Sequence, residues 1–320
     1  MTLRVVFCSR ETTAETWTAA LRAALERQGV AADVWWRDAL RMNADDSAPQ
    51  AEAAVVWRPP PALFAEQRRL RAVFNLGAGV DALLAVPGLP PHVEIYRLED
   101  AGMARALSEY VLAAVLRTYR RFDHYAAHQS QQRWKPEPLP AREHFTVGVL
   151  GLGVIGADIA ATLARHGFTV RGHAQTRKSI EGVECRAGEA EFASFLDGLD
   201  VLVSVLPDTA TTRDRLDRGV LERLAPGAHL INVGRGSALV EADLLALLEA
   251  GHLGGATLDV FATEPLPADH LFWTRRDIVI TPHVAAETEL EPAIAQVADK
   301  LARWSRGEAV TGAVDRGRGY

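Results

Sequence analysis

The sequence predicts an α/β protein of two domains, each a parallel sheet covered by helices. Short apolar runs alternate with helix-patterned stretches along the chain, the order that builds parallel sheets. The runs fall into two series, one in the first hundred residues and one starting near Phe145. The length of 320 residues carries a soft prior of two domains.

In the first series the expected strands are Leu3–Phe7, Asp33–Trp36, Ala54–Trp57, Ala72–Asn75 and Val93–Tyr96. Between the first two, Ala14–Gln28 is rich in Ala, Leu and Glu and is closed by Gly29, which reads as a helix with its stop signal. Ala48–Gln50 and Pro59–Pro61 read as surface turns. A helix over Ala106–Phe122 follows, with Leu107, Tyr110, Val111, Ala114, Val115 and Thr118 on one face, a core or interface stripe. Gln129–Pro140 is polar with three prolines and reads as irregular. It is either an exposed connection or an arm over a neighbouring subunit.

The second series contains Phe145–Leu150, Phe168–His173, Asp200–Leu206, His229–Val233, Ala256–Val260 and Ile278–Thr281. Six strands match a full dinucleotide-binding sheet. At the end Ile294, Val297, Leu301 and Trp304 recur at helical steps before Gly307. That helix is free to return to the first domain.

Composition narrows the function classes. Apolar residues make up 48% and charged residues 24%, enough for two cores. A net charge of -6 argues against nucleic acid or an anionic membrane as the main partner. Cys8 and Cys185 stand alone, which fits a reducing compartment and no metal framework. MTLRVVFCSR lacks the apolar core of a signal peptide, and no run is long enough to span a membrane. A cytoplasmic location is expected.

The strongest local motif is Gly151-Leu-Gly153-Val154-Ile155-Gly156, between an expected strand and an expected helix. The first glycine allows the turn, the second a close approach of pyrophosphate, and the third helix–strand packing. The helix N-terminus offers free N–H groups to the phosphates. Alone this pattern is often only a turn; here the context favours a dinucleotide. The next strand is followed by no acid that would hold a ribose 2′-hydroxyl. Thr176, Arg177 and Lys178 stand there instead and suit a 2′-phosphate, although a solvated basic loop is the plainer alternative. NADP(H) is favoured, with NAD(H) as a second possibility.

Three further polar groups follow three expected strands: Arg235 in NVGRG, Glu264 in LDVFATEPL and His283 in TPHVAA. Each taken singly is an ordinary surface or structural residue. Together, at the carboxyl ends of one sheet, they form a candidate catalytic set. An arginine between glycines suits a carboxylate held through two bonds.

NLGAGVD (Asn75–Asp81), RLEDAGM (Arg97–Met103), GLGVIG, LPDT (Leu206–Thr209), NVGRG, LDVFATEPLP, TPHVAA and VDRGRGY (Val314–Tyr320) occur in that order. In them the chain resembles, over essentially its whole length, the D-isomer-specific 2-hydroxyacid dehydrogenases, and among these the group that reduces glyoxylate and hydroxypyruvate. The resemblance implies two Rossmann-like lobes acting as a homodimer. A flavodoxin-like substrate lobe would comprise residues 1–104 completed by 286–320, and a doubly wound dinucleotide-binding domain residues 105–285. It implies that His283 protonates the substrate carbonyl, that Glu264 favours the imidazolium form, and that Arg235 holds the carboxylate. The amides of Leu76, Gly77, Ala78 and Gly79 would grip the same carboxylate. Gly151, Gly153, Val154, Ile155, Gly156, Leu206, Pro207, Val233 and Asp259 would contact the cofactor. Gln175 stands where the group often has Arg, so one phosphate contact is missing. Met103 and Trp57 are either pocket walls or core.

Two rivals remain open. One is an NAD-dependent dehydrogenase of another D-2-hydroxy acid, against which the missing acid speaks. The other is a dinucleotide-sensing, corepressor-like binding protein; such relatives keep many of the same pocket residues, so the Arg–Glu–His set does not exclude it, and the resemblance to the reductase group speaks against it.

Overall fold

The computed structural model describes residues 2–9, 14–45 and 47–320. The chain divides into two compact units, Met1–Gly102 with Thr288–Tyr320, and Met103–Glu287.

The first unit holds a five-stranded parallel sheet of β1 (Leu3–Ser9), β2 (Ala32–Asp38), β3 (Ala53–Trp57), β4 (Ala72–Asn75) and β5 (Glu94–Arg97). Their order is β2-β1-β3-β4-β5. In β1, β3 and β4 nearly every residue is buried, as strands covered on both faces require. The helices Ala14–Arg27 and Leu290–Ser305 pack on each other. The second of these presents Ala293, Ile294, Val297, Ala298 and Leu301 as its buried stripe. The chain beyond it pairs along β5, through Arg97 N–H to Gly312 O (2.9 Å) and Val314 N–H to Ile95 O (2.9 Å). Lys300 is buried within this arrangement because its ammonium meets Glu99 (3.1 Å) and the Thr311 carbonyl (2.6 Å).

The second unit holds seven parallel strands: β6 (Thr146–Leu150), β7 (Thr169–Ala174), β8 (Val183–Ala187), β9 (Val201–Ser204), β10 (Ala228–Asn232), β11 (Leu253–Leu258) and β12 (Ile278–Ile280). The order β12-β11-β10-β9-β6-β7-β8 reverses direction beside β6. The ends of β6 and β9 therefore form the switch point at which doubly wound sheets take ligands.

Three elements differ from the sequence-based expectation. Strand β8 was not expected: it is a half-buried edge strand of mixed polarity, so no apolar run marks it. Strand β11 begins earlier than expected, because Gly254 and Gly255 lie within it. A Cβ on Gly254 would stand 2.5 Å from the Gly227 carbonyl, so the strand passes through two residues that normally signal a break. The helix expected over Ala106–Phe122 runs instead from Met103 to Tyr119. Arg121 then adopts a left-handed conformation (φ 57°), and a second helix, Phe122–Ser130, follows with no buried residue. From Gln131 to Ala141 the chain is irregular and carries the fully exposed Trp134. Among the described residues no helix is long and apolar enough to cross a membrane.

Candidate active-site groups

In the second unit the glycine loop has the form that a pyrophosphate needs. Gly151 takes φ 103°, closed to other side chains, and turns the chain out of β6. A Cβ on Gly156 would lie 1.8 Å from the Gly151 carbonyl, so only glycine lets the helix sit this close. At Gly153 the same atom would meet nothing within 4 Å. Gly153 is also the N-cap of the helix Val154–Arg165, which has no side-chain cap and no acid in its first turn. The N–H groups of Val154, Ile155 and Gly156 have no partner within the helix, and the chain is exposed at Gly153 and Val154, where the positive end of the helix lies. These features fit a bound dinucleotide phosphate.

Beyond β7, Gln175, Thr176, Arg177 and Lys178 are all exposed. Arg177 is tied to the new edge strand: it donates to Cys185 O (2.8 Å) and to Glu191 (2.5 Å). Glu191 is held as a carboxylate by the Ala187 N–H and by Arg177, below its ordinary range. Glu191 went unnoticed in the sequence, since only the fold brings it beside Arg177.

The Arg–Glu–His set gathers at the other end of the sheet. Gly234 and Gly236 let the loop after β10 wedge between its neighbours: a Cβ on Gly236 would lie 1.9 Å from the Phe261 backbone, one on Gly234 2.5 Å from Leu206. Buried Asn232 fixes this loop, donating to Arg235 O (3.1 Å) and accepting from Gly234 N–H (3.2 Å). Val233 is buried and donates its N–H to Ser204 O (3.1 Å), while after β9 Leu206 lies half-buried and Pro207 is exposed. His283 Nδ1 bonds Glu264 Oε2 at 2.8 Å, and Glu264 Oε1 accepts from Phe261 N–H at 3.1 Å. Burial of Glu264 favours its neutral form. The bonds from His283 and Phe261 and the nearby positive charges of His283 and Arg235 outweigh it, and the carboxyl is held below its ordinary range. The imidazole Nε2 has no hydrogen bond among the described residues.

Asp259, expected to contact the cofactor, is also bound into the protein itself. It is 1% exposed, and its oxygens accept from Thr281 Oγ1 (2.7 Å), Val284 N–H (2.8 Å) and Ala285 N–H (3.0 Å). Tyr110 Oη in turn bonds Thr281 Oγ1 at 2.6 Å. His283 sits inside this clamp at φ 57°, its N–H on Asp259 O (2.8 Å). Asp259 therefore holds the histidine loop.

In the first unit the loop after β4 was expected to offer the amides of Leu76–Gly79. Leu76 N–H is instead committed to Val56 O (2.9 Å) in the sheet. The N–H groups of Gly77, Ala78, Gly79 and Val80 donate no hydrogen bond among the described residues. The Trp57 ring packs on Gly77, where a Cβ would lie 2.4 Å from it, and Met103 is buried core in the second unit.

A family model for the NAD-binding domain of D-isomer specific 2-hydroxyacid dehydrogenases matches residues 112–285. A glyoxylate/hydroxypyruvate reductase A of Serratia proteamaculans is 44% identical over 323 residues, covering 99% of this chain and 100% of that protein. The crystal structure of a D-isomer specific 2-hydroxyacid dehydrogenase from Xanthobacter autotrophicus, in complex with NADPH and MES, is similar with a TM-score of 0.91 at 38% identity, covering both chains fully. An NADPH-dependent glyoxylate/hydroxypyruvate reductase from Sinorhizobium meliloti, in complex with NADP and sulfate, gives a TM-score of 0.88 at 34% identity over 99% of this chain and 100% of that one.

Proposed function

The chain belongs to the D-isomer-specific 2-hydroxyacid dehydrogenase family, and from that premise we propose that it reduces small 2-keto acids, glyoxylate and hydroxypyruvate among them, with NADPH. The observation that carries the reading is the His283–Glu264 bond of 2.8 Å, set beside Arg235 on the sheet that also bears the open glycine loop.

When bound, the dinucleotide supplies the hydride that adds to the keto carbon. The protein must supply a proton to the carbonyl oxygen and a hold on the carboxylate. His283 is suited to the first task, because Glu264 occupies Nδ1 and leaves Nε2 to face a substrate. A carboxylate on Nδ1 stabilises the doubly protonated ring. After the transfer the neutral ring keeps its Nδ1 proton on Glu264, and Nε2 takes a new one from solvent. Arg235 is assigned to the substrate carboxylate, as are the free amides of Gly77, Ala78 and Gly79. Gly151, Gly153, Val154, Ile155 and Gly156 are assigned to the pyrophosphate, and Leu206, Pro207 and Val233 to the wall of the cofactor cleft. Thr176, Arg177 and Lys178 are assigned to the 2′-phosphate. The names of the relatives support NADPH and the two substrates. A cytoplasmic homodimer is part of the same reading, with the exposed stretch around Trp134 as a candidate subunit contact.

The decisive experiment is steady-state oxidation of NADPH and NADH with each keto acid, followed by the reduced-nicotinamide absorbance. Turnover favouring NADPH is expected. A preference for NADH would remove the assignment of Arg177 and Lys178, and cofactor binding without turnover would favour the sensing rival.

A further inference from the structure

Four consecutive peptide groups after β4, from Leu76–Gly77 to Gly79–Val80, share one asymmetry. Every carbonyl is held. Thr288 Oγ1 donates to Leu76 O (3.3 Å), Leu98 N–H to Gly77 O (3.2 Å) and Arg97 Nη1 to Ala78 O (3.4 Å). Asn75 Nδ2 donates to both Gly77 O (3.1 Å) and Gly79 O (2.9 Å). None of the four N–H groups donates a hydrogen bond among the described residues.

A trans peptide is planar, with its C=O and N–H pointing opposite ways. A donor that holds the carbonyl therefore aims the N–H to the other side. Asn75 holds two alternate carbonyls with the two hydrogens of one amide, and so turns the N–H groups of Ala78 and Val80 to the same face. It is also a costly residue to place here. Asn75 is 3% exposed and ends a strand whose other residues are Ala, Val and Phe. A buried amide with so few apolar contacts to offer is tolerated only when its polar atoms are satisfied.

We propose that Asn75 is a positioning residue for substrate: it orients the loop so that the amides of Ala78 and Val80 converge on the carboxylate of the keto acid. This rests on the reading that the loop takes that carboxylate. Removing Asn75 leaves the loop free to rotate its peptides, and carboxylate binding weakens while the proton donor and the cofactor site are untouched.

The test compares wild type with Asn75→Ala and Asn75→Asp, each loaded with NADPH. Glyoxylate KM should rise about tenfold or more, the factor expected for one lost charge-assisted hydrogen bond, with kcat nearly unchanged. Inhibition by oxamate, a non-reducible 2-keto acid analogue, should weaken by the same factor, and the NADPH Kd should not move. Asn75→Asp keeps the shape and covers the case in which the alanine variant fails to fold. Its carboxylate faces two carbonyl oxygens and becomes a donor only when protonated. Its KM should therefore fall towards the wild-type value as pH is lowered, relative to wild type at the same pH. An unchanged KM in both variants overturns the proposal, as does equal loss of NADPH and oxamate binding, the mark of a structural role. Wild type that neither turns over glyoxylate nor binds oxamate overturns the underlying reading as well, and so tells the two failures apart.

Discussion

The two ends of the seven-stranded sheet carry charge in different ways. At the β10–β12 end, Arg235, Glu264 and His283 ride on loops fastened by buried Asn232 and Asp259, each with several hydrogen bonds. At the β7–β8 end, Thr176, Arg177 and Lys178 are exposed, and among the described residues Arg177 is held by a surface ion pair and one carbonyl. Fastened groups can act on a reacting atom within tenths of an ångström, as proton transfer requires. A multiply charged phosphate is attracted over a longer range and tolerates mobile partners. The first region should therefore respond to substitution through kcat, the second through cofactor KM.

The sharpest way to break this contrast is His283→Ala. Turnover should fall by about 10²–10⁴-fold, the usual worth of a positioned acid, while NADPH affinity by fluorescence titration stays at the wild-type level. A variant retaining a tenth of the activity, or one that loses cofactor binding in proportion, would remove the distinction between the two ends.

Glu264→Gln comes next. The amide can still accept from Nδ1 but brings no charge, and kcat/KM should drop by about tenfold or more. The pH dependence of stability gives a second readout. Because the Glu264 carboxyl is held below its ordinary 4.5, its stabilising bonds are fully present above that value. They are lost as pH falls through the lower folded-state value. The stability difference between wild type and the variant in urea melts should shrink as pH falls below 4.5. A difference that grows on acidification would mean that the pair does not hold the carboxylate in its charged form.

How much of this was legible beforehand follows the same divide. The glycine loop, Arg235, Glu264 and His283 could be read because each sits just past an apolar run, and the position after a strand is set by local pattern. Their supports could not. Asp259 joins Thr281, Val284 and Ala285 only once β11 and β12 are paired, and an aspartate after a strand reads as readily as a ligand contact. Asn75 was visible as part of a motif, but its role depends on which carbonyls the turn brings back to it. The edge strand β8 was hidden for the opposite reason: Glu184 and Arg186 answer to solvent and to each other (2.5 Å), so no periodic burial marks the segment. Missing β8 meant missing Glu191 and the present partner of Arg177.

At the exposed end, replacing Arg177 and Lys178 together by neutral residues should raise the NADPH KM about tenfold, with less than a twofold change for NADH. Equal changes for the two cofactors would place the 2′-phosphate elsewhere.

The smallest expected effect is the most informative about that end. Glu191→Gln removes the anion that now holds Arg177 at 2.5 Å. Exposed pairs of this kind are weak. If Arg177 must leave Glu191 to reach a 2′-phosphate, the variant should bind NADPH about two- to fivefold more tightly, the factor that a weak surface pair allows. NADH, which has no 2′-phosphate, should be indifferent. If the pair instead aims the guanidinium at the phosphate, the variant should bind NADPH more weakly, and Glu191 would count among the fastened groups. Cofactor titrations of the single variant at two salt concentrations distinguish the cases. A competing surface pair weakens with salt, so the gain over wild type should shrink as screening rises.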